Sequence, residues 1–326
     1  MTTDYLFLAT ANGVVTCQRQ GADWREMTRG LTHRKATSVV ASPNLVLAGT
    51  TDGIFQSSDL GQTWREASGG LTTRHVRWLA FHPTVSGVVF AGVESAGIFV
   101  SRDGADTWQE RPEVPPLRRK HRWFLPYSRG AGCVRGFAAH GARVYAAVEV
   151  GGVLRSDDGG ETWRLAEGSS GDPDLEGPPE PLIYPDVHSI EVHPSSPDLV
   201  FAPTGGGFYR STDGGRTWAC LYDCYCRAVW ADPADPDHLL LGPADGVDAQ
   251  GRIEETRDGG QTWTPASAGL QTPWRRHMVE RFLPVGDELL AVLSNGQLLS
   301  APLAALEWRP ILPAVKQAAA AASLRL

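Results

Sequence analysis

Histidine and cysteine side chains recur in this 326-residue chain at points that precede predicted strands. The residues in question are His33, His75, His121, His188, His277 and Cys226. Imidazole nitrogens and thiolates are ligands for divalent transition metals. The run Cys220-x3-Cys224-x-Cys226 has no standard zinc spacing, so a metal would need ligands from distant parts of the chain. A bound divalent metal and exposed loop histidines without a ligand both remain open.

A second set of residues is cationic and suits anion binding. Alignment of the repeats described below places seven residues at one equivalent position: Thr37, Arg77, Arg135, His188, Arg227, Glu280 and Lys316. The planar guanidinium binds two oxygens of a carboxylate or phosphate at once. We therefore predict a ligand site formed by Arg77, Arg135, His188, Arg227, His75, His121, Arg122, Trp123 and Arg276. The alternative is that these arginines pair with acidic residues of neighbouring repeats.

Acidic and phenolic side chains fall in the same connections and form a third set. The candidates for catalysis are Glu94, Glu149, Asp186, Tyr184 and Glu280. Two positioned carboxyls, or a tyrosine nucleophile, are what a glycoside hydrolase requires. A metal-dependent lyase, hydrolase or oxidoreductase is another enzyme class that these side chains allow.

The elements that must position these residues come from an internal repeat. The pattern Ser-x-Asp-x-Gly-x-Thr-Trp occurs at Ser57–Trp64, Ser156–Trp163 and Ser211–Trp218, with one substitution each at Ser101–Trp108 and Thr256–Trp263. With Trp24 and Trp308 of two eroded copies, the tryptophans are 40, 44, 55, 55, 45 and 45 residues apart. A period of this length built from short strands is typical of a propeller blade.

The repeated octapeptide also has a local explanation. Its aspartate accepts bonds from N–H groups further along a tight turn, its glycine takes positive φ, and its tryptophan anchors the turn in apolar packing. We interpret the aspartates as structural braces and retain a cation at an exposed turn as the alternative.

The octapeptide resembles the Asp-box, or BNR repeat, of sialidases, sortilin-type receptors, xyloglucanases and photosystem II assembly factors. The resemblance implies a β-propeller and leaves the function open, because these families do unrelated things. We predict one all-β domain over residues 1–326: a seven-bladed propeller of four-stranded antiparallel blades. The first repeat lacks an innermost strand, so Ala314–Ala322 should pair into blade one and close the ring. The alanine run within it has helical propensity, which conflicts with this assignment.

The two longest connections, Arg111–Gly132 and Glu167–Asp186, follow blades three and four. Long loops on a compact scaffold are commonly functional, so we expect them to cover the site. The connections between blades should place the His/Arg set at the mouth of the central channel, at the end remote from the octapeptide turns.

Composition limits the partners. The net charge of −7 argues against nucleic-acid binding, and no apolar run is long enough to span a membrane. The N-terminal residues have no signal-peptide pattern and the five cysteines are odd in number, which favours the cytoplasm. We expect a monomer that binds an anionic small molecule, a glycan or an acidic protein segment.

Overall fold

The computed structural model describes residues 2–175 and 177–326, and these residues form seven four-stranded antiparallel sheets arranged as the blades of a propeller. The strands of blades one to three are β1 (Asp4–Thr10), β2 (Gly13–Gln20), β3 (Asp23–Gly30), β4 (Ala36–Ser42), β5 (Leu45–Thr50), β6 (Gly53–Ser57), β7 (Arg65–Glu66), β8 (Val76–Phe81), β9 (Val89–Val93), β10 (Gly97–Ser101) and β11 (Gln109–Glu110). A helix, α1 (Val114–His121), follows.

Blades four to seven repeat the same order of strands. They consist of β12 (Cys133–His140), β13 (Arg143–Glu149), β14 (Gly152–Ser156), β15 (Arg164–Leu165), β16 (Glu191–Val192), β17 (Val200–Thr204), β18 (Gly207–Ser211), β19 (Ala219–Tyr222), β20 (Tyr225–Asp232), β21 (Asp235–Ala244), β22 (Glu254–Thr256), β23 (Thr264–Pro265), β24 (Val279–Val285), β25 (Glu288–Leu293), β26 (Leu298–Pro302) and β27 (Arg309–Ile311). The last strand, β28 (Ala318–Arg325), returns to blade one. The predicted fold class is confirmed.

Strand β28 closes the ring by pairing antiparallel with β1, so that blade one has the order β28-β1-β2-β3. It begins four residues later than the predicted Ala314, because residues 312–315 form a turn closed by the Val315 N–H and the Leu312 carbonyl at 3.0 Å. The alanine run is a strand despite its helical propensity. Hydrogen bonds to β1 and burial of every second side chain, from Ala318 to Leu324, outweigh a preference of a few tenths of a kcal/mol per residue.

The octapeptide turns are braced as predicted. In the copy that follows β18, Asp213 Oδ1 accepts from the Thr217 N–H at 2.9 Å and Oδ2 accepts from the Thr217 hydroxyl at 2.7 Å. The Ser211 hydroxyl donates to the same carboxylate and accepts from the Gly215 N–H at 2.8 Å. In the blade-two copy the equivalent bonds, led by that of the Thr63 hydroxyl, lower the pKa of Asp59 to about 2.

In blade four, the tryptophan and the specified glycine of the octapeptide contact the adjacent blade. Trp163 of blade four meets Phe90 of blade three edge to face, with ring centroids 6.3 Å apart. A Cβ atom on Gly160 would lie 2.4 Å from the Phe90 ring, and Gly160 has φ +86°, so glycine is required there. The hydrophobic core is therefore a series of layers between blades, to which each blade contributes.

The innermost strands share a β-bulge near their first residues. In β4, β8, β12 and β24 the register skips one residue, at Thr37, Arg77, Arg135 and Glu280 respectively. A bulge re-aims the side chain of the extra residue, so these residues share one structural position, as the sequence alignment predicted. The alignment was wrong in blade one: the skipped residue of β28 is Ala319, and Lys316 precedes the strand.

The two long connections contact each other. The indole N–H of Trp123, which is 3% exposed, donates to the Gly171 carbonyl at 2.9 Å. Helix α1 lies in the first connection and was not predicted. Part of the second connection, Glu176, lies outside the described residues. No helix among the described residues is long and apolar enough to cross a membrane.

Candidate functional site at the channel mouth

The bulge positions surround a cavity of about 570 Å3 at one end of the central channel. Innermost strands begin at this end, whereas the octapeptide turns follow the third strands, which run towards the opposite end. The charged residues that line the cavity are Lys35, Arg77, Arg135, Arg227, Glu280 and Arg281, and aromatic residues Trp78 and Tyr127 join them. The structure thus brings together the three predicted channel arginines.

These arginines are paired with carboxylates, as the alternative interpretation held. Arg77 Nη1 lies 3.0 Å from Glu94 Oε2, and Arg135 Nη1 lies 3.0 Å from Glu149 Oε2. Ion pairs also form between residues of different blades. Arg227 Nη1 is bonded to Glu280 of the next blade, and Arg135 Nη2 approaches the same carboxylate at 3.5 Å. The predicted catalytic candidates Glu94, Glu149 and Glu280 are therefore held by guanidinium groups.

Burial and charge act in opposite directions on these groups. Burial raises the pKa of Glu149 and Glu280, but nearby arginines outweigh it, and the net pKa of both is lowered. Burial likewise lowers the pKa of Arg135, whereas Glu149 and Glu280 raise it, and the net shift is upward. Arg135, Glu149 and Glu280 are consequently all ionised at neutral pH.

Arg281 was missed by the sequence analysis and lines both the mouth cavity and a smaller cavity next to it. Its Nη1 donates to the carbonyls of Arg227 at 3.0 Å and Glu280 at 2.9 Å. Its Nη2 donates to those of Arg135 at 3.0 Å and His188 at 3.2 Å. The guanidinium carbon lies 4.5 Å from the ring centroid of Trp78. The only available signal was its place next to the aligned residue Glu280.

A cluster of His188, Asp186 and Glu149 lies beside the arginines. His188 is fully buried, and its Nδ1 donates to the Cys226 carbonyl at 2.8 Å, because a carbonyl can only accept. Nε2 therefore faces Asp186 Oδ2 at 3.1 Å and the Tyr225 hydroxyl at 3.3 Å. One ligand atom from each of the three residues lies within 4.8 Å of the others, and Asp186 Oδ1 is buried without a hydrogen-bond partner.

The predicted convergence of five histidines and Cys226 on one metal is corrected by the structure. Among the described residues, the group formed by Glu149, Asp186 and His188 is the one with metal-ligand geometry, and of the predicted ligands it contains only His188. The remaining ones are His33, His75, His121, His277 and Cys226.

The environments of these residues show what each does instead. His75 Nδ1 lies 3.5 Å from Glu94 at the edge of the mouth, and burial lowers the pKa of His75. His121 stacks on Trp123, and His277 on Trp274. His33 is exposed. The Cys226 thiol is buried against backbone carbonyls of blade five, which leaves it no access to the mouth.

Three further predicted ligand residues do not line the cavity. Trp123 belongs to the hydrophobic core between blades three and four. Arg122 and Arg276 are exposed on the connections that follow blade three and blade six, respectively. Tyr184 packs over the backbone of blade five, where a Cβ atom on Gly206 would lie 2.5 Å from its ring. The indole ring of Trp123, which is 3% exposed, cannot contact a ligand unless the loop unfolds.

The chain is a seven-bladed β-propeller whose repeated octapeptide corresponds to the Asp-box. The BNR/Asp-box repeat model matches residues 154–165, in blade four. No curated protein matches the chain in sequence. Among solved structures, YCF48 from Cyanidioschyzon merolae has a TM-score of 0.64 and 13% identity, covering 92% of each chain.

Two other solved structures are similar at the level of fold. YCF48 bound to D1 peptide has a TM-score of 0.61 at 17% identity and covers 91% of this chain and 88% of that one. An ancestral GH74 enzyme has the same score and identity, but the chain spans only 37% of its length. At these identities the likeness shows the propeller fold alone.

Proposed function

We propose that this propeller binds an anionic ligand, and specifically an acidic peptide segment, at the mouth of its channel. The observation that carries the proposal is the charge of the cavity wall: five cationic side chains face it and one carboxylate, among the described residues that line it. In a molecule of net charge −7 such a concentration of positive charge attracts anions to one place.

The ion pairs within the mouth leave some N–H donors of its arginines free to bind an anion. A guanidinium has five N–H donors, and Arg77 places one on Glu94 and another on the Tyr127 hydroxyl. Lys35 is exposed at the cavity and makes no ion pair with any described residue. Arg281 contributes charge rather than hydrogen bonds, because backbone carbonyls occupy its donors.

The cavity volume and one structural neighbour favour a peptide over a larger polyanion. About 570 Å3 is within the range of small-ligand pockets and holds a few residues of an extended chain. YCF48, a propeller of similar length, has been solved with a peptide bound.

Binding of a labelled Asp/Glu-rich octapeptide, measured against its Asn/Gln counterpart, tests the proposal. Lys35→Ala removes a mouth cation without leaving a carboxylate unpaired, and Arg25→Ala removes an exposed cation on the outermost strand β3. We expect Lys35→Ala to weaken the acidic peptide by roughly threefold to tenfold and Arg25→Ala to leave it unchanged, with affinity falling as salt rises. Equal binding of the two peptides would refute the proposal.

A divalent metal held by Glu149, Asp186 and His188 is a second candidate function. The Cys226 carbonyl fixes the imidazole so that Nε2 faces the carboxylates, an orientation typical of metal-bound histidine. The buried, unpartnered Asp186 Oδ1 is the remaining free acceptor. Metal analysis of protein purified without a histidine tag, compared between wild type, His188→Gln and His277→Gln, tests it. Stoichiometric metal lost only in His188→Gln supports the site, and metal-free wild type after incubation with Zn2+ or Mn2+ excludes it.

Glycoside hydrolysis stays a prediction. Glu149 and Asp186 each have a carboxylate oxygen within 4.8 Å of the other. Release of reducing sugar from xyloglucan or sialyl oligosaccharides by wild type, and its loss in Asp186→Asn, would establish it.

A further inference from the structure

We infer that the acidic segment carries an aromatic side chain, and that its docking surface continues from the mouth cavity onto the connection between blades three and four. This inference rests on the proposed function and names the partner more closely. The surface consists of Phe124 and Tyr127 together with the exposed cations Arg119, Lys120, Arg122 and Arg129, and it is called the basic–aromatic surface below.

The charge of this surface begins in the sequence. From Val114 to Val148 the chain contains no aspartate or glutamate, although the whole molecule has an excess of acidic residues. The same interval contains Arg118, Arg119, Lys120, Arg122, Arg129, Arg135 and Arg143. Such a segment repels other cations and attracts carboxylates over about a Debye length.

The aromatic rings are exposed although the loop that carries them is firmly held. Trp123 and Leu125 are 3% and 4% exposed, whereas Phe124 between them is 43% exposed and Tyr127 is 57% exposed. Trp123 is anchored by its bond to Gly171, and the Ser128 hydroxyl is bonded to Glu94. Phe124 therefore faces water because its two neighbours are fixed in the core.

The surface is continuous with the cavity through Tyr127. The Tyr127 ring lines the cavity, its hydroxyl accepts from Arg77 Nη2 at 3.3 Å, and Arg77 also lies 5.9 Å from the ring centroid. Phe124 is three residues away and Arg122 two more, so their backbones lie within about 20 Å of Tyr127 even if the chain is fully extended. An extended peptide of a few residues spans this distance.

A role in the fold explains the presence of some cations of this surface, but not of all of them. Arg119 and Lys120 lie in the last turn of α1, where positive charge favours the helix C-terminus. Arg118, which is not part of the surface, has backbone partners, since its Nη1 donates to the carbonyls of Ser95 and Ala96. Neither reason applies to Arg129, which is exposed and has no ion pair within the described part of the chain.

The chemistry of the surface selects its partner. Guanidinium groups bind carboxylates with two hydrogen bonds, and exposed Phe and Tyr rings favour contact with another aromatic ring in an edge-to-face or offset arrangement. Single-stranded nucleic acid also combines negative charge with flat rings. The acidic net charge of the molecule disfavours it, because most of the protein surface repels a long polyanion.

Two acidic nonapeptides that differ only at the central residue, Phe or Ala, test the inference. Each is titrated against wild type, Phe124→Ala and Met27→Ala; Met27 is 51% exposed on β3 and serves as the matched control. We expect wild type to prefer the Phe peptide by about tenfold. Phe124→Ala should abolish this preference, and Met27→Ala should preserve it. Melting temperatures confirm that the variants fold.

The outcomes separate this inference from the proposed function. If both acidic peptides bind wild type equally and more tightly than the Asn/Gln peptide, the mouth binds anions but the aromatic contact is refuted. A preference that survives Phe124→Ala refutes it too. If neither acidic peptide exceeds the Asn/Gln peptide, the proposed function itself fails. Tighter binding of a twelve-nucleotide oligo-uridine than of the Phe peptide would overturn the choice of partner.

Discussion

The guanidinium of Arg281 donates to the main-chain carbonyl of Arg135 at 3.0 Å, across 146 residues of sequence. The same side chain binds the carbonyls of His188, Arg227 and Glu280, so that one residue links blades four, five, six and seven at the channel axis. Burial and the charge of Arg135 lower the pKa of Arg281 to about 9. It is therefore a cation at neutral pH, and it is held by carbonyl dipoles.

Replacing Arg281 by methionine should destabilise the ring. The variant removes the guanidinium donors of four carbonyls, of which that of Arg227 keeps the Ser189 hydroxyl at 2.7 Å, and water in the mouth replaces only part of what is lost. We expect the free energy of unfolding to fall by about 2–4 kcal/mol, measured by urea denaturation. Arg25→Met, on the exposed β3, is the control. An unchanged midpoint for Arg281→Met would show that the four bonds are not needed for closure.

Asp213→Ala tests the structural interpretation of the octapeptide. The variant removes the acceptor of the Thr217 and Ser211 bonds in a turn of blade five, which should cost about 1–3 kcal/mol in the free energy of unfolding. Affinity for the acidic peptide, measured well below the melting range, should not change, because the mouth lies at the other end of the blades. Lower affinity at full stability would contradict this interpretation.

Glu191 should make stability depend on pH near neutrality. It lines an inner cavity of about 140 Å3 below Arg281, and burial raises its pKa from 4.5 to about 7, although a bond from the Ala231 N–H opposes the shift. Between these values the folded state binds more protons than the unfolded chain, so stability falls as pH rises from 4.5 to 7. This fall in the free energy of unfolding, roughly 1–3 kcal/mol, should be absent in Glu191→Gln.

The measurement is the difference in unfolding free energy between wild type and Glu191→Gln at pH 5 and pH 8. Glu191→Gln should gain relative to wild type at the higher pH. Glu307→Gln, which alters an exposed carboxyl, controls for net charge. A difference that is constant with pH would mean that Glu191 titrates at its ordinary value.

Removal of β28 tests ring closure. Deleting Ala318–Leu326 exposes the edge of β1 and takes Ala320 and Leu324 from the core between blades one and two. We expect the melting temperature to fall by more than 10 °C, or folding to fail, because an open edge and a broken layer affect the whole ring. Deleting only residues 325–326 removes the Arg325–Asp4 ion pair and should have a small effect. Equal melting of the two truncations would contradict closure by this strand.

The propeller could be predicted because its determinants are local and repeated. Each octapeptide fixes its own turn through bonds within eight residues, as at Ser211–Trp218, and seven tryptophans at a blade-like period count the blades. The same repetition aligned Arg77, Arg135 and Glu280 at one position, which the bulges confirm. Sequence periodicity thus determined the fold, and it identified the bulge residue of the innermost strand in blades two, three, four and seven.

Only the tertiary structure decided what those side chains do. The partner of Arg227 is a carboxylate 53 residues away in the next blade, and Arg281 finds its carbonyls in three other blades and its own. Likewise Asp186 and His188 meet Glu149 across a blade boundary, whereas His33 and His277, which look similar in sequence, stay apart from them. The physical reason is that ring closure sets distances between residues far apart in sequence, and whether a cation is paired depends on distances of a few ångströms. A repeat fixes the position of a residue within its blade, but its neighbours across the channel are set by the packing of all seven.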